Sequence, residues 1–224
     1  GVDHERYLTF TPKPRKHDGD VIKIFYGSAT LAHKEDFLNI LEPAFLNIAK
    51  KYGKKVQFVM FGWLPLSDEF REVAGDQVTV RKPVWDIHKY WKVLSESDIN
   101  VTVFERSVLV DTKAEGKWLE ASMFAVPSIV SRTETYEEVI ENGVTGILCD
   151  TVDEWTEALD LLISNPELRH RIGHNAQAVV RKDYTINAMS KNIASIIKQF
   201  SPQPVPNKKK RILLVHVFYA PQII

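Results

Sequence analysis

The sequence alternates between short apolar runs and longer amphipathic stretches, and this alternation constrains the fold more than any other feature of the chain. The apolar runs are rich in β-branched and aromatic residues and have the length of buried strands. The stretches between them repeat their apolar residues at helical spacing. The predicted strands are residues 21–26, 56–61, 78–80, 99–104, 128–130 and 146–148. The predicted helices are residues 35–52, 68–73, 87–96, 136–141, 153–163, 166–182 and 186–199.

Strands that alternate with helices form parallel sheets, because each helix carries the chain back across one face of the sheet. We therefore predict an α/β fold, a doubly wound, Rossmann-like parallel sheet of about six strands with helices on both faces. Trp91, Trp118 and Trp155 recur at helical spacing with other apolar residues, so we expect them in the core. In such sheets a ligand binds beyond the carboxyl ends of the strands, where the strand order reverses.

One polar stretch, residues 111–121, interrupts the apolar pattern after the fourth predicted strand. Thr112 and Glu115 have the spacing of a capping box, which predicts a helix that begins near Lys113. A helix N-terminus is electropositive, so a lysine in its first turns is disfavoured by roughly a few tenths of a kcal/mol. A bound phosphate would reverse that preference. The stretch therefore predicts an anion site.

Lys113, Lys117 and Glu120 follow one another at i, i+4 and i+7, which places two ammonium groups and one carboxylate on the same helix face. A ligand with phosphates and a hydroxyl-bearing ring would contact all three groups. The alternative is an exposed polar face with a pair between Lys117 and Glu120 that contributes roughly a few tenths of a kcal/mol. Spacing alone leaves both interpretations open.

Composition excludes several classes of function. The 29 Lys and Arg residues balance 29 Asp and Glu residues, so no net charge attracts nucleic acid or an anionic membrane. The single cysteine, Cys149, excludes an intramolecular disulfide and a cysteine-rich metal site, and it fits a reducing compartment. No apolar run reaches the roughly 18 to 20 residues of a membrane-spanning helix. His and Cys residues do not cluster as metal ligands do, so we expect no obligatory metal cofactor.

Changes in composition divide the chain into three parts. Residues 1–20 are polar and contain two prolines, so we expect an irregular interdomain lead-in to the domain of residues 21–200. A proline-rich run, a basic cluster and an apolar strand from Ile212 to Tyr219 make residues 201–224 a linker and the first strand of a following domain. A strand without its own sheet has open edges, which predicts a dimer through that strand. Because the chain opens without a methionine, we expect it to be excised from a larger protein.

Four stretches follow one another within residues 21–185. They are Asp98-Ile99-Asn100-Val101, then Lys113-x-x-x-Lys117-x-x-Glu120-Ala121 with Val126-Pro127 after it, the glycine-punctuated residues 136–148, and residues 153–185. Together they resemble the C-terminal, nucleotide-sugar-binding half of a group 1 glycosyltransferase of the retaining type with the two-domain GT-B fold. The ends resemble the exit from one acceptor domain and the start of another, as in a tandem glycosyltransferase.

The resemblance implies roles for several residues of the polar stretch. In this family the second Glu of a Glu-x7-Glu motif binds the ribose of the nucleotide, and Glu120 matches that position. Thr112 replaces the first Glu, and Asp111 is the nearest substitute. The resemblance therefore implies donor binding but leaves the catalytic residues and the retaining or inverting outcome unassigned. Lys113 and Lys117 match lysines that part of the family carries ahead of the second Glu, near the donor diphosphate.

The family also places a basic residue in the loop after the first strand. Here the resemblance implies that Gly27, Ser28, His33 and Lys34 close over the diphosphate, although Ser28 stands where an arginine is common. Trp85, after the third predicted strand, is the candidate for the wall of the base pocket. The alternatives are polar loop residues for His33 and Lys34 and a packing residue for Trp85.

The function that the resemblance implies is the donor-binding half of a hexosyltransferase in bacterial polysaccharide biosynthesis. It would transfer a sugar from a nucleotide diphosphate sugar to a glycan or lipid-linked acceptor, which a missing acceptor domain holds, so the isolated chain would be inactive. Its location would be cytoplasmic, or peripheral to the inner face of the membrane.

Two other functions were open to a chain with this pattern. The first is a non-catalytic nucleotide-binding or scaffold module with a degenerate donor site. The second, a dinucleotide dehydrogenase domain, is disfavoured because Gly27-Ser28-Ala29-Thr30 lacks the Gly-x-Gly-x-x-Gly turn that lets the backbone approach a pyrophosphate.

Overall fold

A six-stranded, all-parallel sheet forms the centre of the molecule. The computed structural model describes residues 3–10, 21–28, 34–84, 86–105, 107–111 and 114–200. The strand order is β3-β2-β1-β4-β5-β6, which confirms the predicted doubly wound fold. The strands are β1 (Ile22–Ser28), β2 (Val56–Gly62), β3 (Val78–Arg81), β4 (Ile99–Thr102), β5 (Ser128–Ser131) and β6 (Ile147–Cys149).

Helices connect the strands and cover both faces of the sheet, as the alternating pattern predicts. Early in the chain, α2 runs through a π-helical turn, Phe37–Leu41, into α3. The helices are α1 (His4–Leu8), α2 (Lys34–Asp36), α3 (Glu42–Tyr52), α4 (Asp68–Ala74), α5 (Ile87–Ser95), α6 (Val108–Asp111), α7 (Gly116–Met123), α8 (Glu134–Val139), α9 (Val152–Ser164), α10 (Pro166–Asp183) and α11 (Ile186–Phe200).

The core has two layers, one on each face of the sheet, because successive side chains of a strand point to opposite faces. Ile24 of β1 packs in the layer of α3, α4 and α9, whereas its neighbour Phe25 packs in the layer of α5 and α7. Trp155 belongs to the first layer, and Trp91 and Trp118 belong to the second. All three tryptophans are buried, which confirms their predicted place in the core.

The start of α7 differs from the prediction. The helix begins at Gly116 and not near Lys113, and Glu115 occupies the N-cap position without a capping hydrogen bond from its side chain. Glu115 therefore cannot be the third helical residue that a capping box requires, and that prediction is wrong. The physical reason is α6, a separate short helix that ends at Asp111, so α7 starts only after this helix has ended.

The lead-in also differs from the prediction, because His4–Leu8 forms the short helix α1 rather than an irregular segment. Its Tyr7 is buried and donates a hydrogen bond to the carbonyl of Met123. The ring of Tyr7 packs against Phe124, with centroids 4.8 Å apart, and against Trp91 at 6.2 Å. These aromatic contacts attach α1 to the second core layer and stabilise a helix that the polar composition of the segment did not predict.

By its contacts the chain divides into a large unit, residues 1–189, and a small unit, residues 190–224. The large unit contains the whole sheet. Helix α11 crosses the division, and in the small unit it exposes apolar side chains such as Ile193 and Phe200. The predicted linker and strand of residues 201–224, and with them the dimer, lie outside the described residues. Within the described ranges, no helix is long and apolar enough to cross a membrane.

Candidate functional site

The strand order reverses between β1 and β4, so a crevice opens beyond the carboxyl ends of these two strands. β1 ends with Gly27 and Ser28, and Ser28 pairs with Gly62 of β2. Gly62 has a φ of 132°, and a Cβ at this position would lie 1.5 Å from the carbonyl oxygen of Ser28. Only a glycine therefore allows β2 to run this close to the end of β1.

Lys117 connects the start of α7 with the end of β1. It is the second residue of α7, and its ammonium group donates a hydrogen bond to the carbonyl oxygen of Gly27. The same ammonium lies 5.8 Å from the ring centroid of Tyr26, within the range of a cation–π contact. The structure thus brings together two segments that are far apart in sequence, the loop after β1 and the polar stretch around α7.

Glu120 lies one turn further along α7 and is partly buried. Tyr90 on α5 and Lys117 are the side chains that influence the pKa of its carboxyl group. Burial raises the pKa of Glu120, while Tyr90 and the charge of Lys117 act in the opposite direction. Burial, together with the nearby carboxylate, also raises the pKa of Tyr90 well above its ordinary value.

The position of Tyr90 near Glu120 was not anticipated from the sequence. Tyr90 fell inside a predicted amphipathic helix, where a tyrosine fits as a half-buried aromatic residue. The only available signal was its polar tip on the helix that follows β3, a helix that shares a sheet face with α7. Sequence spacing cannot show which residue of α7 such a tip would lie near.

Two further predicted site residues have other contacts. The hydroxyl of Ser28 bonds to the hydroxyl of Tyr26, in the core layer of α3, so Ser28 faces away from the layer that contains Glu120. Lys34 opens α2, is exposed, and has its ammonium 4.0 Å from the carboxylate of Glu35. Three more predicted site residues lie outside the described residues: His33, Trp85 and Lys113.

Asp111, the substitute considered for the missing first glutamate of the motif, connects two helices. Its carboxylate accepts a hydrogen bond from the backbone N–H of Glu134 at 3.2 Å, and its carbonyl oxygen accepts one from the hydroxyl of Thr135 at 2.8 Å. Both partners lie in the first turn of α8. Asp111 therefore helps to fix the start of α8 beside the end of α6.

In the part of the chain that the structure describes, no group of three or more His, Cys, Asp or Glu residues is arranged to hold a metal ion. Cys149 is buried, and burial raises the pKa of its thiol to about 12. Among the described residues, the groups placed at the crevice include the Lys117 ammonium and the Glu120 carboxylate.

Comparison with known proteins gives a consistent result. A family model described as glycosyl transferase-like matches residues 42–195, which is more than half of the chain. A search of curated protein sequences finds no match. Among solved structures, the C-terminal domain of LpcC, a glycosyl transferase group 1 family protein from Francisella tularensis, aligns with a TM-score of 0.61 and 20% identity over 83% of this chain and 100% of that one.

Two longer proteins share the fold. HepE from Anabaena, solved with UDP-glucose, aligns with a TM-score of 0.63 and 16% identity over 81% of this chain and 50% of HepE. TarM from S. aureus, solved with UDP and alpha-GlcNAc-glycerol, aligns with a TM-score of 0.62 and 15% identity over 84% of this chain and 38% of TarM. The chain thus spans half or less of these two proteins.

Proposed function

The chain belongs to the glycosyl transferase-like family, and from this premise we propose that it is the donor-binding half of an enzyme that transfers a sugar from a nucleotide diphosphate sugar. The observation that carries the proposal is the pairing of Lys117 and Glu120 at the switch-point crevice. One helix there offers a cation for phosphate and, one turn later, a carboxylate for hydroxyl groups.

The diphosphate would lie at the start of α7. Glu115 provides no side-chain cap there, and the positive end of the α7 dipole would favour an anion at this position. Lys117 adds a full positive charge in the same turn. Lys113 and the loop from Gly27 to Lys34, including Ser28 and His33, would enclose the phosphates from the other side.

Glu120 would bind the ribose, because an ionised carboxylate accepts hydrogen bonds from two neighbouring hydroxyls. Trp85 would form part of the base pocket. Uridine is the base that we propose, since the neighbours HepE and TarM were both solved with uridine nucleotides. We infer no obligatory metal, so the charge on the departing nucleotide diphosphate would be neutralised by lysine and helix dipole, the kind of stabilisation that supplies about 3 to 4 kcal/mol per group in other enzymes.

A separate acceptor domain would hold a glycan or lipid-linked acceptor, and retention of configuration is the outcome that the family resemblance implies. The site of action would be the bacterial cytoplasm or the inner face of its membrane. Thr112, in place of the first motif glutamate, favours one alternative, a nucleotide-binding module that has lost catalysis. An assay of sugar transfer, after the chain is joined to an acceptor domain, distinguishes the two hypotheses. A catalytic donor domain would give product, and a module that has lost catalysis would not.

Calorimetric titration with UDP, GDP and UDP-glucose tests the donor site directly. We expect micromolar to millimolar binding by the wild-type chain and at least about tenfold weaker binding by Lys117→Ala, because a charged hydrogen bond to phosphate is lost. Lys182→Ala, which removes an exposed lysine on α10, is the matched control and should bind as the wild type does. Absence of binding at millimolar nucleotide would refute the donor site, and equal binding by all three proteins would exclude Lys117 from it.

A further inference from the structure

We propose that His170 and His174 on α10 form a binding site for a divalent transition-metal ion, for which Zn²⁺ is the probe. The site goes beyond the proposed donor function and does not depend on it, because neither histidine belongs to the crevice. It concerns an ion bound at the surface of the domain and not a cofactor of sugar transfer.

The two histidines lie side by side on the exposed face of α10. They are four residues apart, so one turn of the helix brings their side chains to the same face. Their rings are stacked, with centroids 6.4 Å apart and an interplanar angle of 20°. Both residues are exposed, so an ion reaches them directly from solvent. Two histidines at i and i+4 of one helix are an arrangement that proteins use to bind Zn²⁺.

The separation of the rings fits the bond lengths of a metal ion. Imidazole nitrogens bind Zn²⁺ at about 2.0 to 2.1 Å, so two nitrogens that share one ion lie within about 4 Å of each other. Rings with centroids 6.4 Å apart bring one nitrogen each to that separation by rotation of side-chain torsions, with no movement of the backbone. The pair is therefore one rotamer adjustment away from chelation.

The opposite face of α10 is fixed to the rest of the domain. Gly173 is packed so closely that an added Cβ would lie 2.2 Å from the carbonyl oxygen of Ala125. Gln177 donates a hydrogen bond to the carbonyl oxygen of Met123 at 2.7 Å. These contacts hold the turn that carries the two histidines. Ligands at a fixed spacing lose less conformational freedom when an ion binds, which favours binding.

The chemistry of the pair selects the class of ion. Neutral imidazole is a ligand of Zn²⁺, Cu²⁺ and Ni²⁺, whereas Mg²⁺ and Ca²⁺ prefer oxygen ligands. The exposed neighbours Glu167 and Arg171 have opposite charges, so the affinity must come from the imidazoles and not from a local excess of charge. Because no third His, Cys, Asp or Glu joins the pair as a ligand among the described residues, water would fill the remaining positions around the ion.

Calorimetric titration of the full chain, without a histidine tag, with zinc chloride tests the site at about pH 7.5, where imidazole is mostly neutral. We expect one Zn²⁺ ion per chain with micromolar affinity and no binding of Mg²⁺ in the same range. His170→Ala and His174→Ala should each weaken Zn²⁺ binding at least about tenfold, because chelation by two ligands is lost. His88→Ala, which removes an exposed histidine of α5, is the matched control and should bind as the wild type does.

Two double variants test the spacing itself, with the exposed Ala178 of α10 as the third position. Ala178→His combined with His170→Ala recreates a spacing of four residues and should restore affinity to within about threefold of the wild type. The same change combined with His174→Ala leaves the two histidines eight residues apart and should not restore it.

Thermal unfolding without zinc checks that every variant is folded. A wild type that binds no Zn²⁺ would overturn the proposal, and so would wild-type affinity in the two single variants. An equal loss of affinity in His88→Ala would place the ion elsewhere, and failure of the recreated spacing to restore binding would show that the pair does not chelate. None of these results bears on nucleotide binding, which is measured separately.

Discussion

Two carboxylates, Asp160 on α9 and Glu120 on α7, have opposite electrostatic environments. Tyr52 donates to Asp160 at 2.6 Å between α3 and α9, and Lys51 contacts the same carboxylate at 2.5 Å. Lys51 and Tyr52 lower the pKa of Asp160, and burial with the adjacent carboxylate raises the pKa of Tyr52 to about 12. In the crevice, the carboxyl of Glu120 has a raised pKa because burial dominates.

The difference separates a carboxylate whose charge is compensated within the fold from one whose charge is not. The surroundings of Asp160 favour its ionised form, so its charge is already compensated in the free protein. The surroundings of Glu120 disfavour its ionised form, and further hydrogen-bond donors would compensate it. Perturbed groups of the second kind are typical of functional sites. The predictions below test this contrast.

The largest expected effect is on nucleotide affinity. Glu120→Ala should weaken UDP binding about 10- to 100-fold, the equivalent of about 1.5 to 3 kcal/mol, because hydrogen bonds between ribose and a charged acceptor are lost. Asp160→Ala should bind UDP as the wild type does, because its carboxylate lies in the other core layer. Calorimetric titration measures both, and similar losses in the two variants would show that the two carboxylates do not differ as we infer.

The two carboxylates should have opposite effects on stability without ligand. Asp160→Asn should lower the free energy of unfolding by about 0.5 to 1 kcal/mol, because it removes a charge that Lys51 and Tyr52 compensate. Glu120→Gln should raise that free energy, because it removes a charge that burial disfavours. Urea unfolding at pH 7 gives both values. A destabilised Glu120→Gln variant would contradict the contrast.

The same contrast predicts two different pH dependences. The pKa of Asp160 is lowered in the folded state, so its contribution is complete above the ordinary value of 3.8 and is lost as the pH falls through the folded pKa. The pKa of Glu120 is raised, so its penalty is absent below the ordinary value of 4.5 and develops as the pH rises through the folded pKa.

Urea unfolding between pH 3 and pH 7 should therefore show that Glu120→Gln loses its advantage over the wild type near pH 4.5, whereas Asp160→Asn still unfolds more easily there. Parallel pH profiles for the two variants would mean that both carboxylates have the same kind of environment.

The smallest expected effect concerns Lys51, the exposed lysine that contacts Asp160. Lys51→Met should lower the free energy of unfolding by roughly 0.2 to 1 kcal/mol at low ionic strength, and the difference should shrink in 1 M salt, because exposed ion pairs are screened. Lys54→Met replaces an exposed lysine of the adjacent turn and should have a smaller effect. Persistence of the Lys51 effect in high salt would indicate that lost packing, and not charge, is responsible.

The sequence predicts most of the fold because its strands and helices depend on local periodicity. The strand that starts near Val56 and the helix that contains Trp155 follow directly from the spacing of their apolar residues. The helix start near Lys113 was misplaced because the separate helix α6 precedes α7, and α1 was missed because Tyr7 attaches it to Met123, Phe124 and Trp91. Such effects depend on contacts that are distant in sequence.

The part of the candidate site that lies within one helix was predictable from the sequence. Lys117 and Glu120 are three residues apart, so their common helix face follows from spacing alone. Gly27 could be placed near them because the fold class puts the ends of β1 and β4 together. Tyr90 could not be identified as a neighbour of Glu120, since its position depends on how α5 packs beside α7, and a sequence pattern does not encode that packing.

The topology of the sheet divides the chain into two contiguous halves. Strands β1 to β3 come from the first half and β4 to β6 from the second, and the pairing of β1 with β4 joins them within the sheet. The contact of Lys117 with Gly27 spans 90 residues and also joins the first half of the chain to the second. A chain cut between β3 and β4 would therefore yield two fragments, each with one side of the crevice. A nucleotide that binds between the fragments would favour their reassociation.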